Sequence, residues 1–130
     1  MERLDERVFA AKTETIHAAR QFVRNLGEAI EIQPPTLDDI ELATSELVSN
    51  AIEHGSGDDY QIRLATSSNR FVIEVISTHN GTTLGTPTEW TTSDPELPTG
   101  RGLGLVSAVS ADVWVQHTGD RMIIGCEFIS

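Results

Sequence analysis

A single cysteine, Cys126, stands in the 130 residues. No disulfide can form within the chain, and a reducing cytoplasm is the expected setting. Positive charge is also scarce: nine Lys and Arg against twenty Asp and Glu give a formal net charge of −11 and a pI of about 4.6. Nucleic-acid phosphates and anionic membranes are held by clustered Lys and Arg, so neither is expected as a direct partner. An acidic surface suits a basic protein partner or serves solubility alone. No apolar run approaches the roughly 18 residues of a membrane span. The start, Met1-Glu2-Arg3-Leu4-Asp5-Glu6-Arg7, has no apolar stretch of the kind a signal peptide needs. His and Cys fall in no metal-site spacing, which leaves a structural zinc without support. Repeats and low-complexity tracts are missing as well.

The composition is otherwise that of an ordinary globular protein, 38% apolar and 22% charged, over a length that fits one domain, 1–130. Arg7-Val8-Phe9-Ala10-Ala11 reads as a short edge strand. Thr13 is placed to cap a helix ending near Leu26 and stopped by Gly27. Its stripe of Ile16, Ala19, Phe22, Val23 and Leu26 is core or a dimer surface. Pro34-Pro35 break the chain, and Thr36 with Asp39 gives a start resembling a capping box for a helix over 36–54. Strands are predicted at 60–65 and 71–77, joined by a hairpin. In the second, Ile73, Val75 and Ser77 share one face and Val72, Glu74 and Ile76 the other. Residues 78–99 lose all periodicity, and a loop of that length in a compact domain is commonly a functional lid. Its Trp90 packs the loop onto the body or meets a partner. A helix from Leu103 and two antiparallel strands, 111–117 and 122–128, complete the chain. Cys126 is expected to pack as a small apolar residue, with His17 and His117 on the surface. This order predicts an α+β two-layer sandwich: a mostly antiparallel mixed sheet with helices packed on one face.

Two stretches carry chemistry. In Glu46-Leu47-Val48-Ser49-Asn50-Ala51-Ile52-Glu53-His54-Gly55, Glu46 and Asn50 lie one turn apart on one helix face, beside a strip of Leu47, Ala51 and His54. Gly55 is a helix stop that can take φ > 0. The polar face is either simply solvated or a site. A carboxamide oxygen can ligate Mg²⁺, and a carboxylate can orient or deprotonate a hydroxyl. The second stretch, Gly100-Arg101-Gly102-Leu103-Gly104-Leu105, opens a helix after the long loop. Glycines there form a tight turn or let backbone N–H groups approach an anion, with Arg101 as an ion partner or a solvated side chain.

Residues 46–55, of the form ELVxNAxxHG, resemble the N-box of the histidine-kinase-like ATPases. They look most like the small serine-kinase anti-sigma factors of bacteria. Residues 100–105 resemble that family's second glycine box. The resemblance implies a Bergerat-type ATP-binding fold using ATP and Mg²⁺. It makes Glu46 the general base and Asn50 the Mg²⁺ ligand. It places the backbone at Arg101, Gly102, Leu103, Gly104 and Leu105 around the phosphates and makes 78–99 the lid. It also implies a cytoplasmic homodimer that phosphorylates a serine on a small STAS-like antagonist and captures a sigma factor.

The chain departs from the family at the first glycine box, where Ser77 stands at the adenine-binding Asp and His79 at the following Gly. A neutral acceptor in place of a charged one lowers nucleotide affinity about tenfold. Three readings follow. The chain is an ATP-dependent protein-serine kinase acting as an anti-sigma factor; a non-catalytic partner-switching module that sequesters its partner with weak or no ATP binding; or a hydrolysing ATPase, for which it lacks a transducer domain.

Overall fold

The apolar strand that the sequence marks most clearly lies at the centre of the sheet. The computed structural model describes residues 3–79 and 100–129, with residues 100–102 described by their backbone only. Strands β1 (Arg3–Ala10), β2 (Asp59–Ser67), β3 (Arg70–Thr78), β4 (Asp112–Thr118) and β5 (Arg121–Ile129) pair in the order β1-β2-β3-β5-β4. All these pairings are antiparallel, so the expected sandwich is present with an antiparallel rather than a mixed sheet. Helices α1 (Ile16–Ala29), α2 (Pro34–His54) and α3 (Gly100–Val109) pack on one face. Among the described residues no helix is long and apolar enough to cross a membrane.

Strand alternation builds the core from below. Tyr60, Ile62, Leu64 and Thr66 of β2 and Met122, Ile124, Cys126 and Phe128 of β5 are buried at every second position. From above, α2 contributes Leu37, Ile40, Ala43, Leu47, Val48 and Ala51, and α3 contributes Leu103 and Val106. Each fully buried Leu, Ile or Val stabilises the fold by about 1.5–3 kcal/mol. Cys126 behaves as the expected small apolar residue: it is fully buried, and burial pushes its thiol up to about 12. At the sheet's β1 edge, Phe9 stacks on Tyr60 and meets Phe22 of α1 edge-on, at centroid distances of 5.6 and 6.1 Å.

Helix boundaries differ from expectation for local reasons. Thr13 begins a 3-10 turn, Thr13–Thr15, and caps nothing. The Thr15 hydroxyl instead directs its hydrogen at the Ala10 and Lys12 carbonyls, 2.9 and 2.8 Å away, and lies 2.7 Å from the Tyr60 hydroxyl. Gly27 does not end α1; it is buried within it, where a Cβ would stand 2.6 Å from Leu37 Cδ1. Its role is the close approach of α1 to α2. Helix α2 starts two residues before Thr36, at Pro34, whose missing N–H costs nothing in a first turn. Gly55 follows α2 at φ −73°, not in the left-handed region. Glycine is required there because a Cβ would stand 2.3 Å from the Ala51 carbonyl oxygen.

Candidate functional site

Helix α2 sends Leu47 and Ala51 into the core, and Glu46 and Asn50 lie one turn apart on the adjoining strip of the same helix. Glu46 is half-buried. Its carboxyl is held above the ordinary carboxylate value, first by burial and second by the negative charge of Glu53. Asn50 is only 6% exposed, and its Oδ1 is buried without a hydrogen-bond partner. An acceptor unpaired among the described residues costs about 1–3 kcal/mol, so such an atom calls for a partner. A carboxamide oxygen is a hard donor suited to Mg²⁺, which keeps several waters and bridges phosphates. The donor set therefore fits that ion.

The end of β3 lies close to the end of α2. Ser77 pairs with Met122 of β5, and Met122 pairs on its other side with His117 of β4, so the three form a row across the sheet. Ser77 is 8% exposed and lies on the buried face with Ile73 and Val75, as its parity predicts. Strand β3 extends through Thr78, whose carbonyl accepts the Ser56 backbone N–H at 2.8 Å. The next residue, His79, donates its backbone N–H to the Asp120 carbonyl in the β4–β5 turn. Residues 78 and 79 thus belong to the body of the domain. The rest of the stretch expected as a lid, 80–99, Trp90 among it, lies outside the described residues.

The His79 imidazole is 5% exposed, and neither ring nitrogen has a partner among the described residues. Burial first, then the neighbouring His117 and His54, hold it below the ordinary histidine value, so it is uncharged near neutral pH. His117 is exposed, as its surface assignment predicts, and His54, at the end of α2, is half-buried; both nonetheless lie close enough to act on His79. That proximity follows from the register: His117 pairs with Met122, which pairs in turn with Ser77 two residues before His79.

Helix α3 opens at Gly100, three residues earlier than expected. Gly100, Arg101 and Gly102 therefore join its first turn, where N–H groups have no acceptor within the helix. Leu103 is 1% exposed and belongs to the core. Only its backbone N–H is left for a ligand. Gly104 is buried and Leu105 half-buried; the side chain of Arg101 lies outside the described part. Among the described residues no three His, Cys, Asp or Glu side chains cluster as a metal site, so a cation at Asn50 would rely on water and ligand oxygens.

Residues 9–125 match the family described as the histidine kinase-like ATPase domain. The chain belongs to that family. The match runs from the end of β1 into β5, so it takes in every helix and both candidate stretches. Solved structures give the same fold. The RsbU and RsbW domains of Rv1364c from Mycobacterium tuberculosis superpose with a TM-score of 0.72 at 18% identity, over 98% of this chain and 32% of that one. The chain thus spans about a third of that protein's length. SiaB in the SiaB–SiaC complex from Pseudomonas aeruginosa matches with a TM-score of 0.64 at 12% identity, over 95% of this chain and 89% of that one. The Acinetobacter baumannii histidine kinase AdeS matches with a TM-score of 0.54 at 18% identity, over 98% and 68%. No curated protein sequence matches the chain.

Proposed function

We propose that this histidine kinase-like ATPase domain is an anti-sigma-type protein-serine kinase that acts on a small STAS-like antagonist. The observation that carries the reading is the buried Oδ1 of Asn50, unpartnered among the described residues, one turn from a carboxyl that burial holds above its ordinary value. Asn50 would hold Mg²⁺, which when bound supplies charge neutralisation on the phosphates of ATP. Glu46 accepts the proton of the attacking serine hydroxyl. The serine oxygen then bonds to the γ-phosphorus, the bond to the β-phosphate oxygen breaks, and ADP leaves. Backbone N–H groups of Arg101, Gly102, Leu103, Gly104 and Leu105 orient the phosphates, and Ser77 faces the base. Phosphoryl transfer asks chiefly for positioning and charge stabilisation of this kind.

The whole chain, 1–130, acts as one such unit, with the lid drawn from 80–99, in the cytoplasm and as a homodimer. A neighbour named for RsbW, and another solved in complex with a second protein, SiaC, support a partner-switching role. A sigma factor is the partner held when the antagonist is phosphorylated. One observation favours the alternative, a non-catalytic module that sequesters its partner: the bulky His79 ring is buried beside Ser77. Incubation with a candidate antagonist, Mg²⁺ and labelled ATP decides between them. Phosphate should reach a serine of the antagonist, and Glu46→Ala and Asn50→Ala should each abolish transfer while antagonist binding persists. Normal transfer by both variants would refute these roles. Binding with no transfer by the unaltered chain would establish the module.

A further inference from the structure

We infer that His79 and Ser77 together read the nucleobase, and that they accept a 6-oxo purine about as well as a 6-amino purine. The inference rests on the nucleotide-binding reading above and adds the ligand class. Its basis is an imidazole buried to 5% exposure with both nitrogens unpaired, two residues from a buried serine hydroxyl. Orphaned polar atoms in so tight a place are stabilised when a ligand supplies their hydrogen bonds.

Which ligand edges fit is a question of donors and acceptors. A neutral imidazole has one N–H donor and one acceptor nitrogen, and the hydrogen bond made by one nitrogen normally fixes the tautomer of the other. Among the described residues no group fixes it, since neither nitrogen of His79 is engaged there. The nearby groups that act on the ring, His54 and His117, are imidazoles rather than carboxylates. A serine hydroxyl likewise donates or accepts by rotating. Adenine presents a 6-amino donor beside the N1 acceptor; hypoxanthine and guanine present a 6-oxo acceptor beside an N1–H donor. The second pattern is the first reversed. A carboxylate, which only accepts, distinguishes them. A hydroxyl and an imidazole of free tautomer both reverse with the ligand.

The test is isothermal titration of the full chain with ATP and ITP in the presence of Mg²⁺, since the two differ at position 6 and N1 alone. The expected dissociation constants agree within about fivefold, less than one neutral hydrogen bond lost with its partner left unpaired. Ser77→Asp should open a preference for ATP over ITP of about tenfold or more. Nitrogen-15 spectra of the imidazoles should show a shift of His79 on addition of either nucleotide, and His79→Ala should weaken both by a similar factor. ITP binding more than about fivefold weaker than ATP overturns the inference and leaves the kinase reading intact. An unshifted His79, or unchanged binding by His79→Ala, also overturns it. Absence of binding by both nucleotides overturns the inference and the nucleotide reading together.

Discussion

Two residues of α2 stand in conflict with stability, and that conflict marks them. Glu46 carries a raised pKa, chiefly from burial and secondarily from Glu53. A folded value above the ordinary one means that its contribution to stability is full at acid pH and is lost as pH rises through the raised value. Charged Glu46 therefore opposes folding at neutral pH. Glu46→Gln should raise the melting temperature near pH 7 while phosphoryl transfer is lost, and the difference should vanish near pH 4. With the group half-exposed, solvent screening keeps the gain below about 1 kcal/mol. Melting curves across that pH range, alongside a transfer assay, check both halves. Asn50 shows the same tension through its unpaired oxygen. At this scale the sequence was legible where spacing alone mattered: the Glu46–Asn50 pair, and Ser77 on the buried face of β3. His79 was visible as an intruder, but its isolation among other histidines was not, because that depends on β3, α2 and the β4–β5 turn meeting.

Among the secondary-structure elements, glycines decide how closely neighbours approach. Gly125 of β5 lies under the Trp114 ring of β4; an added Cβ would stand 2.3 Å from Cε2 and 2.4 Å from Nε1. That flat crossing lets the indole N–H reach Glu74 of β3 at 3.3 Å, and Glu74 also pairs with Arg63 of β2 at 2.8 Å. Gly125→Ala must expel the ring from a rigid sheet and should cost about 1–3 kcal/mol. Gly27→Ala meets only the tip of Leu37, and helix propensity returns up to about 1 kcal/mol. It should therefore be much closer to neutral. Denaturant unfolding of the two variants tests the ordering, and Trp114→Val should relieve most of the Gly125→Ala defect through non-additivity. Strand and helix identities were legible because periods of two and 3.6 are local. Helix starts were not. Thr13 and Thr36 have the chemistry of caps, but Thr15 is drawn to Tyr60 across the domain and Pro34 sets the earlier start of α2.

For the whole molecule, one face of the sheet is covered by three helices while the other shows Leu4 and Val8 at 63% and 59% exposure on the β1 edge. The proposed ligand site joins α2, the end of β3 and the start of α3, which come from distant parts of the chain. A ligand bridging them acts on global stability. ATP with Mg²⁺ at about a hundred times its dissociation constant should add about 2.7 kcal/mol. Thermal melts should then rise by several degrees for the unaltered chain and by little for Asn50→Ala. An equal rise in both would remove Asn50 from the site.

Composition and pattern alone determined the α+β class, the element order, the single-cysteine chemistry and the family resemblance carried by residues 46–55 and 100–105, because these rest on local periodicity and on side chains close in sequence. Tertiary structure alone decided that Gly55 needs space rather than a left-handed turn, that Gly27 is a contact rather than a stop, and that Asn50 and His79 are buried without partners. Burial and hydrogen-bond satisfaction are properties of what surrounds an atom, and its surroundings come from residues tens of positions away.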